Sequence, residues 1–262
     1  MTTPAGSGTF TPAPGAAPLP RMVLAQARME SRLMLRNGEQ LLLAVVIPVL
    51  VLVGMVRGAG RLGLDYDHPV VDVVTPGVLA LAVMSTAFTS LAIATAFERR
   101  YGILKRLGAS PLPRAGLLAG KVGALLLVEV LQLLVLGVVG QLLGWSPTLT
   151  GASLAAAMLG VLLGTFAFAA LGLLMAGLLR AEATLAAANL VYLLLLAGGA
   201  VVVPASAYGG FGQVAQWLPS GALGEAMRDA FLDGTVAWRD LAVLLCWAAA
   251  GTFATTRTFS WE

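Results

Sequence analysis

The sequence predicts an all-α polytopic membrane protein with six transmembrane helices. Three observations carry this. Of 262 residues, 58% are hydrophobic and only 11% charged, where a soluble domain averages about 25% charged. Six apolar stretches approach the length of about 20 residues that crosses a hydrocarbon core of about 30 Å. The basic residues cluster at alternate ends of those stretches, as positive-inside topology requires. One soluble core of this size could not bury so much apolar surface. A single cysteine, Cys246, excludes an intrachain disulfide and argues against a cysteine metal site. A single histidine, His68, leaves no credible Ser-His-Asp set. The net charge of +3 follows topology and gives no reason to expect nucleic acid.

Residues 1–20, "MTTPAGSGTFTPAPGAAPLP", carry no charged side chain. They lack the basic and apolar regions of a signal peptide and read as a disordered cytoplasmic tail. Residues 21–40 place Arg28, Arg32 and Arg36 four apart, which lines one helix face. With Met22, Val23, Met29 and Leu33 they make an amphipathic helix lying on the inner leaflet; a solvated helix continuing the first span is the alternative. Residues 41–262 form the transmembrane domain. Its spans are 41–56 (with Pro48), 74–97, 115–143, 154–179, 183–203 and 241–256. Interior Gly and Pro are tolerated in membrane helices.

Orientation comes from Lys and Arg near the ends. Arg21, Arg28, Arg32, Arg36, Arg99, Arg100, Lys105, Arg106, Arg114, Lys121, Arg180 and Arg257 fall on one side; Arg57, Arg61, Arg228 and Arg239 fall on the other. Twelve against four puts both termini in the cytoplasm, which an even number of spans satisfies. The external loops of note are 57–73 and 204–240.

The loop 97–114, "FERRYGILKRLGASPLPR", is the most basic part of the chain. A purely topogenic signal would need charge without order. Here Tyr101, Ile103, Leu104 and Leu107 alternate with Arg100, Lys105 and Arg106 at roughly helical spacing. Gly108 ends that helix, and Pro111 and Pro113 prevent an immediate restart. A short amphipathic helix with a stiff exit suits docking against a cytoplasmic partner.

"FERRYGILKRLGASPLPRAGLLAGK" resembles the cytoplasmic loop of type-2 ABC export permeases, the group of the daunorubicin-type exporters. The matching positions are Glu98, Arg99, Gly102, Leu104, Arg106, Leu107, Pro111, Leu112 and Arg114. Upstream "TPGVLALAVMSTAFTS", with Pro76 and Gly77, is similar too. So is "WLPSGALGEAMRDAFLDG", with Pro219 and Arg228 at matching places. The second acid that many members carry near Arg100 is absent, which leaves the pairing with the partner open. The resemblance implies one transmembrane half that pairs with a second permease half, the same or a related chain, above two copies of a separate ABC ATPase. The coupling helix between spans two and three would use Glu98, Arg99, Arg100, Gly102, Leu104, Lys105, Arg106, Leu107, Pro111 and Arg114. A partly re-entrant segment before span six would close an external gate with Pro219 and Arg228. No cofactor belongs to this chain; ATP and Mg would be bound by the partner. The near-match to a phosphate loop, "GLLAGKV", has one residue too few between its glycines and Val122 where a hydroxyl is needed. The chain is therefore expected to be a transport subunit without its own ATPase site.

Other polar residues have two readings each. Glu129 lies near the middle of the third span with Gln132 beside it. An acidic group at that depth costs about 2.5–3.5 kcal/mol on insertion scales, so it must be neutral, paired or facing a wet cavity. It either meets the substrate in the translocation pathway or locks helices together. Ser85, Thr86, Thr89, Ser90 and the Gly160/Gly164 step read as helix packing. Asp65, Asp67, His68 and Asp72 read as a solvated acidic loop, and no metal is expected.

The expected function is the permease subunit of an ATP-driven exporter of an amphipathic drug, lipid or lipid-linked product. The expected location is the bacterial plasma membrane. The alternative is a proton- or ion-coupled secondary carrier using Glu129, although no convincing inverted repeat accompanies it.

Overall fold

The computed structural model describes residues 17–36, 38–62, 66–108 and 111–258, without the side chains of 39–43, 61, 62, 108 and 114. Most of the 1–20 tail, Asp65 and the Arg114 side chain thus lie outside the described residues. Helix α1 is Leu19–Arg36 and α2 is Gly38–Leu62. α3 (Val70–Met84), a π-helical turn (Ser85–Ser90) and α4 (Leu91–Arg100) follow without a break. Then come α5 (Ile103–Gly108), α6 (Arg114–Leu142), α7 (Gly151–Leu178) and α8 (Ala181–Gly198). A 3-10 turn (Ala205–Phe211), α9 (Gly212–Ala215), α10 (Pro219–Arg228) and a π-helical turn (Asp229–Asp233) lead to α11 (Trp238–Thr258).

Among the described residues, four helices are long and apolar enough to cross a membrane: Val70–Arg100, Ala115–Leu142, Gly151–Leu178 and Ala181–Gly198. The chain is a multi-pass membrane protein. In α2 the described side chains form a further, shorter apolar helix, Ala44–Gly60, while α11, with 21 residues, is less uniformly apolar.

The continuous α3–α4 helix is the centre of the bundle. Val74, Val78, Leu81, Met84 and Ala87 are buried against α2, α6, α7 and α10. At the periphery, Leu127 and Leu134 of α6 and Leu190 and Leu194 of α8 point outward and are exposed. Apolar residues inside and outside together are what a bilayer solvent permits.

Small residues set the closest approaches. A Cβ on Gly172 of α7 would stand 2.8 Å from the Phe88 carbonyl oxygen in the π-helical turn. The Gly160/Gly164 step of α7 receives α10, a helix of the external segment: a Cβ on Gly164 would stand 2.9 Å from Leu223. α7 starts cleanly, with the Thr150 hydroxyl accepting from the Ser153 amide and the Ser153 hydroxyl accepting from the Thr150 amide.

The fifth span differs from expectation. Helix α8 stops at Gly198, and residues 199–203 are unwound rather than helical. Gly198, Gly199 and Pro204 are the local cause, and Ala200 takes a left-handed conformation at φ 53°.

Candidate functional site

The predicted coupling segment is built at one end of the bundle. The Tyr101 amide donates to the Phe97 carbonyl and the Gly102 amide to the Arg99 carbonyl, closing α4. Gly102 has φ 68°, which a side chain would oppose. The Arg106 amide then donates to the Gly102 carbonyl and opens α5. The glycine of the motif is thus the hinge between two helices. Pro113, in extended conformation, caps the start of α6.

Six of the ten residues assigned to coupling fall into two groups. Leu104 is buried and anchors α5. Arg99 turns inward and donates to the carbonyl oxygens of Gly177 and Leu179, each at 2.5 Å, capping the carbonyl end of α7. Glu98 also turns inward, to Lys121. Arg100, Lys105 and Arg106 are exposed. Arg100 pairs with Glu182 at the start of α8 and lies 5.8 Å from the Tyr101 ring centroid. Tyr101, 63% exposed, completes an outward cationic and aromatic surface.

Beneath it lies a cluster that sequence reasoning missed. Lys121 Nζ, on α6, is 2.8 Å from Glu30 Oε1 of α1 and 2.8 and 2.7 Å from the two Glu98 oxygens. The Gln26 amide also donates to Glu30. α1 reaches this place across a glycine face of α6: a Cβ on Gly120 would stand 2.6 Å from Gln26, and one on Gly123 3.5 Å from Ala27. A lysine one to two turns inside an apolar helix needs a partner, and that was the available signal. Its partner Glu30 sits on a segment read for its arginines and apolar residues alone.

At the opposite end, Arg228 of α10 is buried and binds the unwound end of α8. Its guanidinium donates to the carbonyls of Ala200 (3.0 Å), Val201 (3.1 Å) and Val202 (3.3 Å), and to Glu225 (3.1 Å). A planar fork serves several acceptors at once, which an ammonium cannot do. Glu225 in turn accepts from the Ala205 amide at 2.8 Å. Burial alone would push the Glu225 carboxyl up, but the Arg228 charge and hydrogen bonds outweigh it and hold the group below its ordinary range. Asp229 goes the other way, to about 6, through burial and then the carboxylates of Glu225, Asp240 and Asp233, against Arg228. Pro219 is the first residue of α10 and is buried.

Glu129 and Gln132 are buried inside the bundle. The Thr165 hydroxyl of α7 donates to Glu129 Oε2 at 2.6 Å, and Oε1 has no partner among the described residues. The Thr86 hydroxyl, in the π-helical turn, donates to Gln132 Oε1, whose amide donates to the Ala44 carbonyl of α2, both at 2.8 Å. Asp72, expected in the first external loop, lies in the first turn of α3 and accepts from the Ser146 amide at 2.8 Å. No group of three metal-ligating side chains occurs among the described residues.

A family profile described as ABC-2 family transporter protein matches residues 66–257. The chain belongs to the ABC-2 transporter family. It is therefore a permease subunit of an ABC transporter, in a family whose ATP hydrolysis falls to a partner ATPase. The match runs from the start of the central helix to the last turn of α11 and includes every residue of the two arginine caps. Helices α1 and α2 lie outside it. No curated protein matches this ABC-2 permease over its length.

Proposed function

We propose that this ABC-2 permease is the transmembrane half of a bacterial exporter in the plasma membrane, related to the daunorubicin-type group, that moves an amphipathic drug, lipid or lipid-linked product. Six spans cross the membrane: the four apolar helices with α2 and α11. Both termini are cytoplasmic. Two permease halves and two ATPase copies form the working unit, and ATP with Mg sits on the ATPase.

The observation that supports this best is the outward pair Lys105 and Arg106 on a helix braced from beneath. Leu104 anchors it, Gly102 turns it, and Glu98 and Arg99 fix its root to α6 and α7. Such an element can transmit displacement from a docked ATPase. Arg100, Lys105 and Arg106 make the docking face; Leu107, Pro111 and Arg114 complete the coupling segment. Pro219 and Arg228 hold the external gate. Glu129 and Gln132 border the translocation pathway and open to it only when α6 and α7 part.

The chain is expected to co-purify with an ABC ATPase when the two are produced together, and vesicles holding both should transport only with ATP. Transport by the chain alone, driven by an ion gradient, would support a secondary carrier using Glu129. Labelling that finds Arg106 outside the cell would end the coupling assignment.

A further inference from the structure

We infer that the outer face of α1 is a binding surface for anionic phospholipid headgroups. This rests on the topology just proposed, which places α1 at the inner leaflet. Arg21, Arg28, Arg32 and Arg36 share one face of α1 and are all exposed. They form a row about 22 Å long at 1.5 Å per residue. Among the described residues none of the four has an ion-pair partner. Between them stand Leu24 and Leu33, 70% and 60% exposed. Together these side chains border a shallow recess of about 600 Å³.

Position on α6 chooses lipid as the occupant over a soluble partner. α1 is seated on Gly116, Gly120 and Gly123, in the first third of the span Ala115–Leu142. Its outer face therefore lies at the depth of headgroups and upper acyl chains. Exposed leucines between arginines fit that boundary: the guanidiniums pair with phosphate and the leucines enter the acyl layer. The acid on α1, Glu30, is on the opposite face and engaged by Lys121, so it does not neutralise the row. The surface lies outside the family match. Through Lys121 and Glu98 its rear face joins the root of α5, so lipid bound here bears on the coupling segment.

The test uses the full chain in nanodiscs. A Cys246→Ala, Leu24→Cys protein carries an environment-sensitive fluorophore on the new thiol. Brominated phosphatidylglycerol and brominated phosphatidylcholine are compared as quenchers at equal mole fraction. Phosphatidylglycerol is expected to quench about twofold more or better at low salt, and the preference to vanish at about 1 M salt. Arg21, Arg28, Arg32 and Arg36 changed together to Gln should abolish the preference, while Lys at all four should keep it and shows that the helix is still folded. Equal quenching by the two lipids overturns the inference. So does a preference that survives the Gln substitutions. So does shielding of the label by added ATPase with no lipid preference, since it assigns the face to a protein. Failure here, with ATPase co-purification intact, leaves the proposed function standing.

Discussion

Gly77 of α3 and Gly224 of α10 meet at the carbonyl oxygen of Val201. A Cβ on Gly77 would stand 2.7 Å from that oxygen, and one on Gly224 2.6 Å. The unwound end of α8 is thus held by two glycines that let backbone touch backbone, and by Arg228, which satisfies its carbonyls. Neither clash can be relieved by rotating a side chain. Gly77→Ala and Gly224→Ala are each expected to cost about 1–3 kcal/mol, a fall of roughly 5 °C in the unfolding midpoint. Gly54→Ala on α2, where a Cβ meets nothing within 4 Å, should leave the midpoint unchanged in the same detergent scan.

The Arg228 cap predicts a large and charge-specific loss. Arg228→Met leaves Glu225 partly buried without its cation and three carbonyls without a donor. Breaking one side of a buried pair costs about 3–5 kcal/mol. Arg228→Lys should recover only part of it, because one ammonium cannot serve the fork's acceptors. Equal stability of the Lys variant and the parent would mean that charge, not the fork, holds α8.

The two carboxyls beside that cap predict opposite pH responses. The Asp229 carboxyl is raised to about 6 in the folded protein. A raised acid binds its proton more tightly when folded, so its stabilising contribution is full below the unfolded value near 4 and is lost as pH climbs through about 6. Glu225 is lowered, so its contribution is present above the ordinary value and lost as pH falls beneath it. Stability should therefore rise between pH 7 and about 5 and decline below about 4. Asp229→Asn should reduce the first limb, leaving the part due to the likewise raised Asp240, and Glu225→Gln should reduce the second, in midpoints measured across that range.

The division of the coupling segment is testable by separating stability from transport. Arg106 is exposed, and surface changes usually stay within about 0.5 kcal/mol. Arg106→Glu should leave insertion and the unfolding midpoint intact while ATP hydrolysis by the assembled complex no longer drives export. Arg99→Ala should do the reverse: removing a charged donor from two carbonyls costs about 1.5–3 kcal/mol and lowers the amount of folded protein. Normal export by the charge-reversed loop would show that α5 does not dock through Arg106.

Much of this was legible in the sequence because its signals are local. Apolar length gave the four clear spans, and Gly102, Gly108 and Pro113 bound α5 where composition placed it. What was hidden depends on contacts between distant residues. Arg99 looks like surface charge in sequence, but the end of α7 lies within its reach. Lys121 needed a partner, and nothing local identified Glu30, which lies ninety-one positions away. The stretch 199–203 reads as apolar and helical, yet Gly199, Arg228 and two glycine contacts favour an unwound chain. The Gly160/Gly164 step announced close packing without naming α10 as the helix received.

Glu129 is the sharpest case for separating pathway from packing. Its carboxyl is buried between α6 and α7, with one oxygen bonded to Thr165 and the other unpartnered among the described residues. Glu129→Gln removes the charge but keeps an oxygen for the Thr165 hydroxyl. Glu129→Leu removes both, and Thr165→Val removes the donor while keeping the acid. If the carboxyl meets substrate, Glu129→Gln should assemble at the parent level and lower transport per complex about tenfold or more, the scale of about 1.4 kcal/mol in a barrier. Thr165→Val should then be the milder change. If the pair only ties α6 to α7, Glu129→Leu and Thr165→Val should both reduce assembled complex by comparable amounts, and the complexes that remain should turn over normally. Counting assembled complexes by size-exclusion chromatography and dividing transport by that count decides between them.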